Sequence, residues 1–206
     1  MYVIITSGGQ AGVDRGALLA ALNTGVAYTG WVPKGGRCED SAPILFMFPC
    51  LHETTTGDYR VRTELNVRDT DVTLIVTMDG RISSPGSRLT QQLCEQYRRP
   101  YRVCTIRQGE ALLVQLFMNW RQPVLRVNIA GVRESRCPGI QEQTRWMLIH
   151  AIQQARQRGL LTALPVFDLD KLTDQPQHES TTSKPQGSEE RKTISDREIP
   201  QSGLFE

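Results

Sequence analysis

The sequence predicts an α/β fold with a mainly parallel sheet and helices on both faces. Segments with strand patterns alternate with segments at helical spacing over about the first 165 residues, which is the order that builds such a sheet. The clearest strand, Val72-Thr73-Leu74-Ile75-Val76, has the uninterrupted apolar character required of a strand covered on both faces. The Gly-rich segment directly after the first strand is typical of a turn into a helix that presents free main-chain N–H groups.

The first half of the chain begins with a strand at Val3-Ile4-Ile5 and continues as a helix over 13–23. The apolar residues at helical spacing are Val13, Ala17, Leu18, Ala21 and Leu22, with Gly25 as the cap. Extended segments are predicted over 27–32 and 44–49, and a helix over 59–68.

The second half repeats the alternation of helix and strand. In order, the predicted elements are a turn at 84–87, a helix over 88–97, a strand over 101–104, a helix over 110–120 and a strand over 124–129. Pro138 begins the final helix, because proline favours the first helical position, and Gly159 ends it. Ligands of such folds bind at the carboxyl ends of the strands, where three loops rich in Gly, Ser and Arg (7–12, 84–90 and 130–138) would meet.

Composition divides the chain into a folded domain over 1–167 and a disordered polar tail over 168–206. The tail is rich in Gln, Ser, Thr, Pro, Glu and Lys, and has too few apolar residues to offset its chain entropy. The folded part holds 19 Lys and Arg against 13 Asp and Glu, a net charge of +6, and all of these cations except Lys34 are arginine. This bias fits an oxyanion ligand, and it fits a general preference for arginine codons equally well.

Cysteine usage indicates the compartment. The five cysteines are odd in number and form no CxxC pair. With no signal peptide and no apolar run long enough to span a bilayer, they predict free thiols, a cytoplasmic location and no membrane partner. The three histidines lie near no cysteine in sequence, which argues against a structural zinc site.

The first loop supplies the first group of candidate binding residues. Main-chain N–H groups of the glycines would donate to an anion, and Arg15 would add charge. A tight strand-to-helix turn without a ligand is the alternative, and Asp14 could simply favour the helix dipole. The candidates are Ser7, Gly8, Gly9, Gln10, Gly12, Asp14 and Arg15.

The other charged or Gly-rich segments supply the remaining candidates. Two cations bracket a Gly-Gly pair at 34–37, and residues 62, 66 and 69 would share one helix face. A solvated loop and pairing within the helix are the alternatives. Arg133, Ser135 and the N-terminus of the last helix would form a second seat for an oxyanion. The candidates are Lys34, Arg37, Arg62, Asn66, Gly86, Ser87, Thr90, Asn128, Gly131, Arg133, Glu134 and Ser135, and none is assigned as catalytic or as a metal ligand.

Five segments, in this order, resemble the putative molybdenum carrier family, the molybdenum-cofactor carrier proteins. They are SGGQAGVDRGAL, GWVPKGGRCED, RTELNVRDTDVTLIV, PGSRLT and NIAGVRESRCPGI, and the resemblance covers about residues 3–155. It implies a Rossmann-like three-layer fold, related to the lysine-decarboxylase-like and DNA-processing-A proteins. It also implies binding of molybdenum cofactor, a phosphorylated pterin with a dithiolene-held metal, by a homo-oligomer.

The chain departs from the family pattern at three places. Ala11 stands where the family has Thr, Gly86-Ser87-Arg88 where it has Gly-Gly-Thr, and Val132 where it has Pro. The lost Thr hydroxyl removes one possible phosphate donor. Arg88 could contact a ligand or clash with it.

The leading interpretation is a carrier that holds molybdenum cofactor, or a similar phosphorylated pterin or nucleotide-like anion, without chemistry. Molybdoenzymes or cofactor-synthesis proteins are then the expected partners. The alternative is a phosphoribohydrolase of the lysine-decarboxylase-like group acting on nucleoside monophosphates. Gln91-Gln92 stands where that group carries its acid, and glutamine cannot ionise, which argues against hydrolysis. A nucleic-acid partner is the weakest interpretation, because no stacking platform is recognisable.

Overall fold

A computed structural model describes residues 1–162 of the 206-residue chain. These residues form seven strands and six helices, with a short 3-10 turn at Lys34–Gly36. The strands are β1 (Tyr2–Thr6), β2 (Ala27–Thr29), β3 (Trp31–Val32), β4 (His52–Glu53), β5 (Val72–Val76), β6 (Tyr101–Cys104) and β7 (Val124–Gly131). The helices are α1 (Val13–Thr24), α2 (Ile44–Met47), α3 (Tyr59–Arg68), α4 (Pro85–Gln96), α5 (Ile106–Asn119) and α6 (Ile140–Gln157).

Five strands form the main sheet, in the order β2-β1-β7-β5-β6, and every pair is parallel. The last strand of the described chain therefore lies at the centre of the sheet, between β1 and β5. Strands β3 and β4 form a separate parallel pair. The parallel α/β architecture expected from the sequence is confirmed.

The two faces of the sheet differ in polarity. Helices α1, α5 and α6 cover one face and share a large apolar core with the strands. Helices α3 and α4 cover the other face, where the buried polar residues Thr6, Asn128 and Thr73 stand side by side on β1, β7 and β5. The polar face is the one on which a hydrophilic site can be built.

Most predicted elements are present, and the differences have local causes. The segment predicted as extended over 44–49 instead contains helix α2, because a short apolar run cannot be assigned to strand or helix by its pattern. The extended segment over 27–32 is two strands in different sheets, separated at Gly30, whose φ of 145° breaks the strand. Strand β4, two residues long, was not predicted.

Helix ends also differ from the sequence prediction. Helix α4 begins at Pro85, three residues early, because the Ser84 side chain caps it by accepting from the Ser87 N–H. Helix α5 begins at Ile106 behind a capping box formed by Thr105 and Gln108. Helix α6 begins at Ile140 rather than at Pro138, after Gly139 in a left-handed conformation.

The predicted boundary at residue 168 and the tail over 168–206 lie outside the described residues. Within residues 1–162, no helix is both long enough and apolar enough to cross a membrane.

Gly16 sets how closely α1 approaches α6. A Cβ atom there would overlap the main-chain oxygen of Gln141, which cannot move without shifting α6. We expect Gly16→Ala to lower the free energy of unfolding by about 1–3 kcal/mol through overpacking, measured by urea denaturation. Gly86→Ala, which would place its methyl in open space within α4, is the control and should be nearly neutral. Equal stability of the two variants would contradict this packing.

Candidate functional site

The loops that follow β1 and β7 meet at the carboxyl edge of the sheet. Gly12 forms an antiparallel bridge with Arg133, and the Glu134 N–H donates to the Ala11 oxygen at 3.1 Å. Gly12 has a φ of 106°, and a Cβ there would overlap the main chain of residues 132–134. Glycine at this position therefore serves the contact between the two loops.

Some N–H groups of the first loop are already used by the protein. The Ala11 N–H donates to Gln10 Oε1 at 3.1 Å, and the Gly12 N–H donates to Gln141 Oε1 at 3.4 Å. The Ser7 hydroxyl donates to the Ile129 oxygen at 2.7 Å. Among residues 1–162, no hydrogen-bond acceptor faces the Gly8 or Gly9 N–H. Both glycines are buried, and of the N–H donors expected from the loop these two are the ones that the described residues leave without an acceptor.

The guanidinium of Arg62, from α3, lies directly on the main chain of Gly8. A Cβ at Gly8 would overlap Arg62 Nη1 and would come within 2.9 Å of Asp14 Oδ2. Arg62 Nη1 donates to this Asp14 oxygen at 3.3 Å, and both side chains are largely buried. Burial raises the pKa of Asp14, and the positive charges of Arg62 and Arg133 oppose that rise.

Three arginines from three separate segments surround one aromatic ring. The guanidinium carbons of Arg37, Arg62 and Arg133 lie 5.4, 5.9 and 5.5 Å from the ring centre of Tyr59. We call these four residues the Tyr59 cluster. Within the described residues, Arg62 has a carboxylate within 4.0 Å, whereas Arg37 and Arg133 have none. The cluster is therefore a concentration of uncompensated positive charge at the end of the sheet.

Several buried polar atoms of β1, the first loop, α1 and α3 lack partners within residues 1–162. They are Thr6 Oγ1, Gln10 Nε2, Arg15 Nε and Arg62 Nε, the last of which belongs to the Tyr59 cluster. A buried donor without an acceptor costs about 1–3 kcal/mol, so such atoms cluster where something else supplies the partner. Three of the four are N–H donors, which fits an acceptor-rich ligand.

A charged segment, residues 34–43, lies against the first loop and is bonded to it, and we call this segment the strap. Arg15 forms a two-pronged ion pair with Asp40, and the Glu39 N–H donates to Gln10 Oε1 at 2.8 Å. Glu39 also accepts from the Ser135 N–H and hydroxyl, at 3.0 and 2.7 Å. The Arg15 guanidinium beside Asp40 holds the pKa of that carboxyl well below its usual range. These contacts bring Arg37 to the Tyr59 cluster, while the exposed Lys34 stays outside it.

The predicted second seat, at the N-terminus of α6, is filled by the protein itself. The Glu134 carboxylate accepts from the N–H groups of Gly139 and Gln141, so it takes the place that an anion would occupy. Ser135 is committed to Glu39. The sequence did not reveal that a carboxylate of the same loop would turn back to these N–H groups, and the oxyanion seat itself stays a prediction. Arg133 alone remains available there.

Other predicted binding residues hold the fold together. The Asn66 side chain accepts from the Trp31 N–H at 2.8 Å and donates to its oxygen at 2.9 Å, fixing α3 to β3. Asn128 donates to Thr73 Oγ1 at 3.2 Å inside the sheet face. Gly131 allows β7 to approach β5, since a Cβ would overlap the Val76 oxygen.

The start of α4 holds the remaining candidates. Ser84 Oγ donates to Ser87 Oγ at 2.9 Å, and Thr90 Oγ1 donates to the Gly86 oxygen at 3.1 Å. Ser87 and Thr90 are buried, whereas Gly86 and Arg88 are exposed. Nothing in the described contacts joins this turn to the Tyr59 cluster.

The sequence did not single out Tyr59 or Glu39. Tyr59 precedes Arg62 by three residues on a helix, a spacing that brings two side chains together. That signal could have indicated the pair, but the approach of Arg37 and Arg133 depends on loops that are distant in sequence.

A parallel α/β sheet with charged loops at its carboxyl edge defines a Rossmann-like domain. Residues 5–152 match the model of the circularly permutated YpsA SLOG family, and the chain belongs to that family. It is similar to the crystal structure of "Putative molybdenum carrier protein" from Syntrophus aciditrophicus SB, with 35% identity and a TM-score of 0.62. The similarity covers 73% of this chain and 94% of that chain. No curated protein matches the sequence. The resemblance found from the sequence motifs is thereby confirmed.

Substitutions of Asn66 and Arg133 should differ in their effect on the free energy of unfolding, because Asn66 holds the fold together and Arg133 does not. Asn66→Ala removes both hydrogen bonds to Trp31, and we expect it to lower the free energy of unfolding by about 1–3 kcal/mol. Arg133→Ala changes an exposed side chain and should stay within about 0.5 kcal/mol of the native protein. Urea denaturation measures both. A larger loss for Arg133→Ala than for Asn66→Ala would reverse these assignments.

Proposed function

We propose that this protein is a carrier that holds molybdenum cofactor, or a similar phosphorylated pterin or nucleotide-like anion, at the Tyr59 cluster. The observation that carries the proposal is the convergence of three guanidinium groups, two of them without a carboxylate partner in the described residues, beside the N–H groups of Gly8 and Gly9, which have no acceptor there. Guanidinium groups bind phosphate oxygens with two parallel hydrogen bonds, and they stay charged at any physiological pH.

The donors at the site match the chemistry of that cargo. Arg62 Nε and Gln10 Nε2 are buried donors that lack acceptors, and a phosphate or an oxo-metal group offers several acceptor oxygens. The similar protein from Syntrophus aciditrophicus is named a putative molybdenum carrier protein, and we extend that cargo to this chain. Molybdenum cofactor, a phosphorylated pterin and a nucleotide all carry a phosphate group, which is the part of the cargo that these donors would bind.

Holding, rather than chemistry, is the role that these residues favour. An arginine cannot accept a proton at neutral pH, so the cluster supplies no general base. Asp14 is the carboxylate in contact with the cluster, and it is paired with Arg62 and buried. Each charge-assisted hydrogen bond contributes about 1.5–3 kcal/mol, and three or four would support micromolar binding after the costs of association.

The wider setting follows from the family resemblance. We expect a cytoplasmic homo-oligomer that receives its cargo from cofactor-synthesis proteins or delivers it to molybdoenzymes.

Arg37→Ala combined with Arg133→Ala should remove binding of molybdenum cofactor released from a molybdoenzyme. We expect the dissociation constant to rise at least a hundredfold, because two charge-assisted contacts are lost together. Calorimetry or cofactor fluorescence measures the affinity. Arg121→Ala combined with Arg158→Ala is the matched control, since it also removes two exposed charges, but near the ends of α5 and α6. Unchanged affinity in the first variant would reject the site.

A further inference from the structure

Arg62 occupies the surface on which an anion would bind the loop. Its guanidinium covers Gly8 so closely that a methyl group would not fit between them. An anion that approaches Gly8 from this side therefore meets Arg62 first, and Arg62 must move or turn toward it. The described conformation is that of a site filled by its own arginine.

The contact that keeps Arg62 there is poor for so buried a pair. It is one hydrogen bond of 3.3 Å to Asp14, whereas strong arginine–carboxylate pairs are two-pronged at about 2.7–2.9 Å. Arg62 Nε is buried without an acceptor. By contrast, the neighbouring pair of Arg15 and Asp40 is two-pronged. The Arg62 guanidinium thus lacks acceptors for some of its N–H groups, and a ligand with more acceptor oxygens would bind it in preference to Asp14.

We infer that Asp14 stands in for the ligand: an oxyanion binds by taking Arg62 from Asp14, and the released carboxyl takes up one proton. This inference rests on the proposed function, because it concerns the same site. The ligand supplies the oxygen atoms that complete Arg62, and no covalent bond is formed or broken apart from protonation of one Asp14 oxygen by the solvent.

The groups that face Asp14 explain why its carboxyl takes up a proton when Arg62 leaves. Arg62 from α3 and Arg133 from the loop after β7 are the charged groups that act on it, together with the Gln10 N–H. Burial already raises the pKa of Asp14 with Arg62 in place, and moving Arg62 to the anion removes the largest opposing effect. Arg15 is paired with Asp40, so it does not replace Arg62, and the Glu134 carboxylate is held at the start of α6.

The sign of the pH effect is fixed by this exchange. A group that gains a proton on binding makes binding tighter as the pH falls, through the range between its pKa in the empty site and its pKa in the filled site. Asp14 should therefore make oxyanion binding stronger at pH 5.5 than at pH 8, by at least threefold.

The test uses the full chain and radiolabelled sulfate as the probe, since sulfate does not titrate between these pH values. Equilibrium dialysis at matched ionic strength gives the dissociation constant for the native protein, Asp14→Asn and Arg62→Ala. Exchange predicts that Asp14→Asn binds sulfate at least threefold more tightly than the native protein at pH 8, and that its affinity no longer depends on pH. Arg62→Ala should bind more weakly. Circular dichroism checks that each variant is folded.

If Asp14 instead stays paired and only positions Arg62 for the ligand, the change in sulfate affinity caused by Asp14→Asn has the opposite sign. Asp14→Asn would then bind sulfate more weakly, or with the same affinity and pH dependence as the native protein, and either result overturns the exchange. If Asp14→Asn does not fold, an unchanged dissociation constant of the native protein from pH 8 to 5.5 overturns it. Failure of the native protein to bind sulfate also overturns it, while binding of molybdenum cofactor separately decides the proposed function.

Discussion

The close approach of two main-chain segments, at Gly12 and Arg133, is the constraint on which the site depends. Parallel pairing of β1 with β7 brings their carboxyl ends side by side, and the bridge between Gly12 and Arg133 joins the loops that follow. Because Gly12 lacks a side chain, the second loop can lie against the first. Arg133 is thereby placed above the turn that begins α1, where Arg62 from α3 also arrives.

Charge is distributed unequally between two neighbouring sets of contacts. In the strap over 34–43, each carboxylate is paired: Asp40 with Arg15, and Glu39 with Ser135. The Tyr59 cluster, by contrast, has three guanidinium groups against one buried carboxylate, Asp14, which accepts a single hydrogen bond from them. The contacts of residues 34–43 hold the loops in place, and the Tyr59 cluster keeps a net positive charge. The donors of such a site lack acceptors in the free protein and gain them when an anion binds.

The sequence predicted the order of the elements well because parallel strands and amphipathic helices leave local patterns. It also identified the residue types of the site, and Arg37, Arg62 and Arg133 lie together. It could not predict how donors and acceptors would pair across the fold. Asn66 was predicted to bind a ligand but fixes Trp31, and Glu134 accepts from N–H groups at the start of α6. The partner of Asn66 lies 35 positions away in sequence, and those of Glu134 lie 5 and 7 positions away across a turn, and the periodicity of helices and strands records neither contact.

The most direct measurement of the central claim is a crystal structure of the protein with molybdenum cofactor bound. We expect the phosphate or the oxo-metal group of the cofactor to contact Arg37, Arg62 and Arg133 and the N–H groups of Gly8 and Gly9. A cofactor bound elsewhere, with Arg62 still on Asp14 and the other two arginines in solvent, would contradict this description of the site.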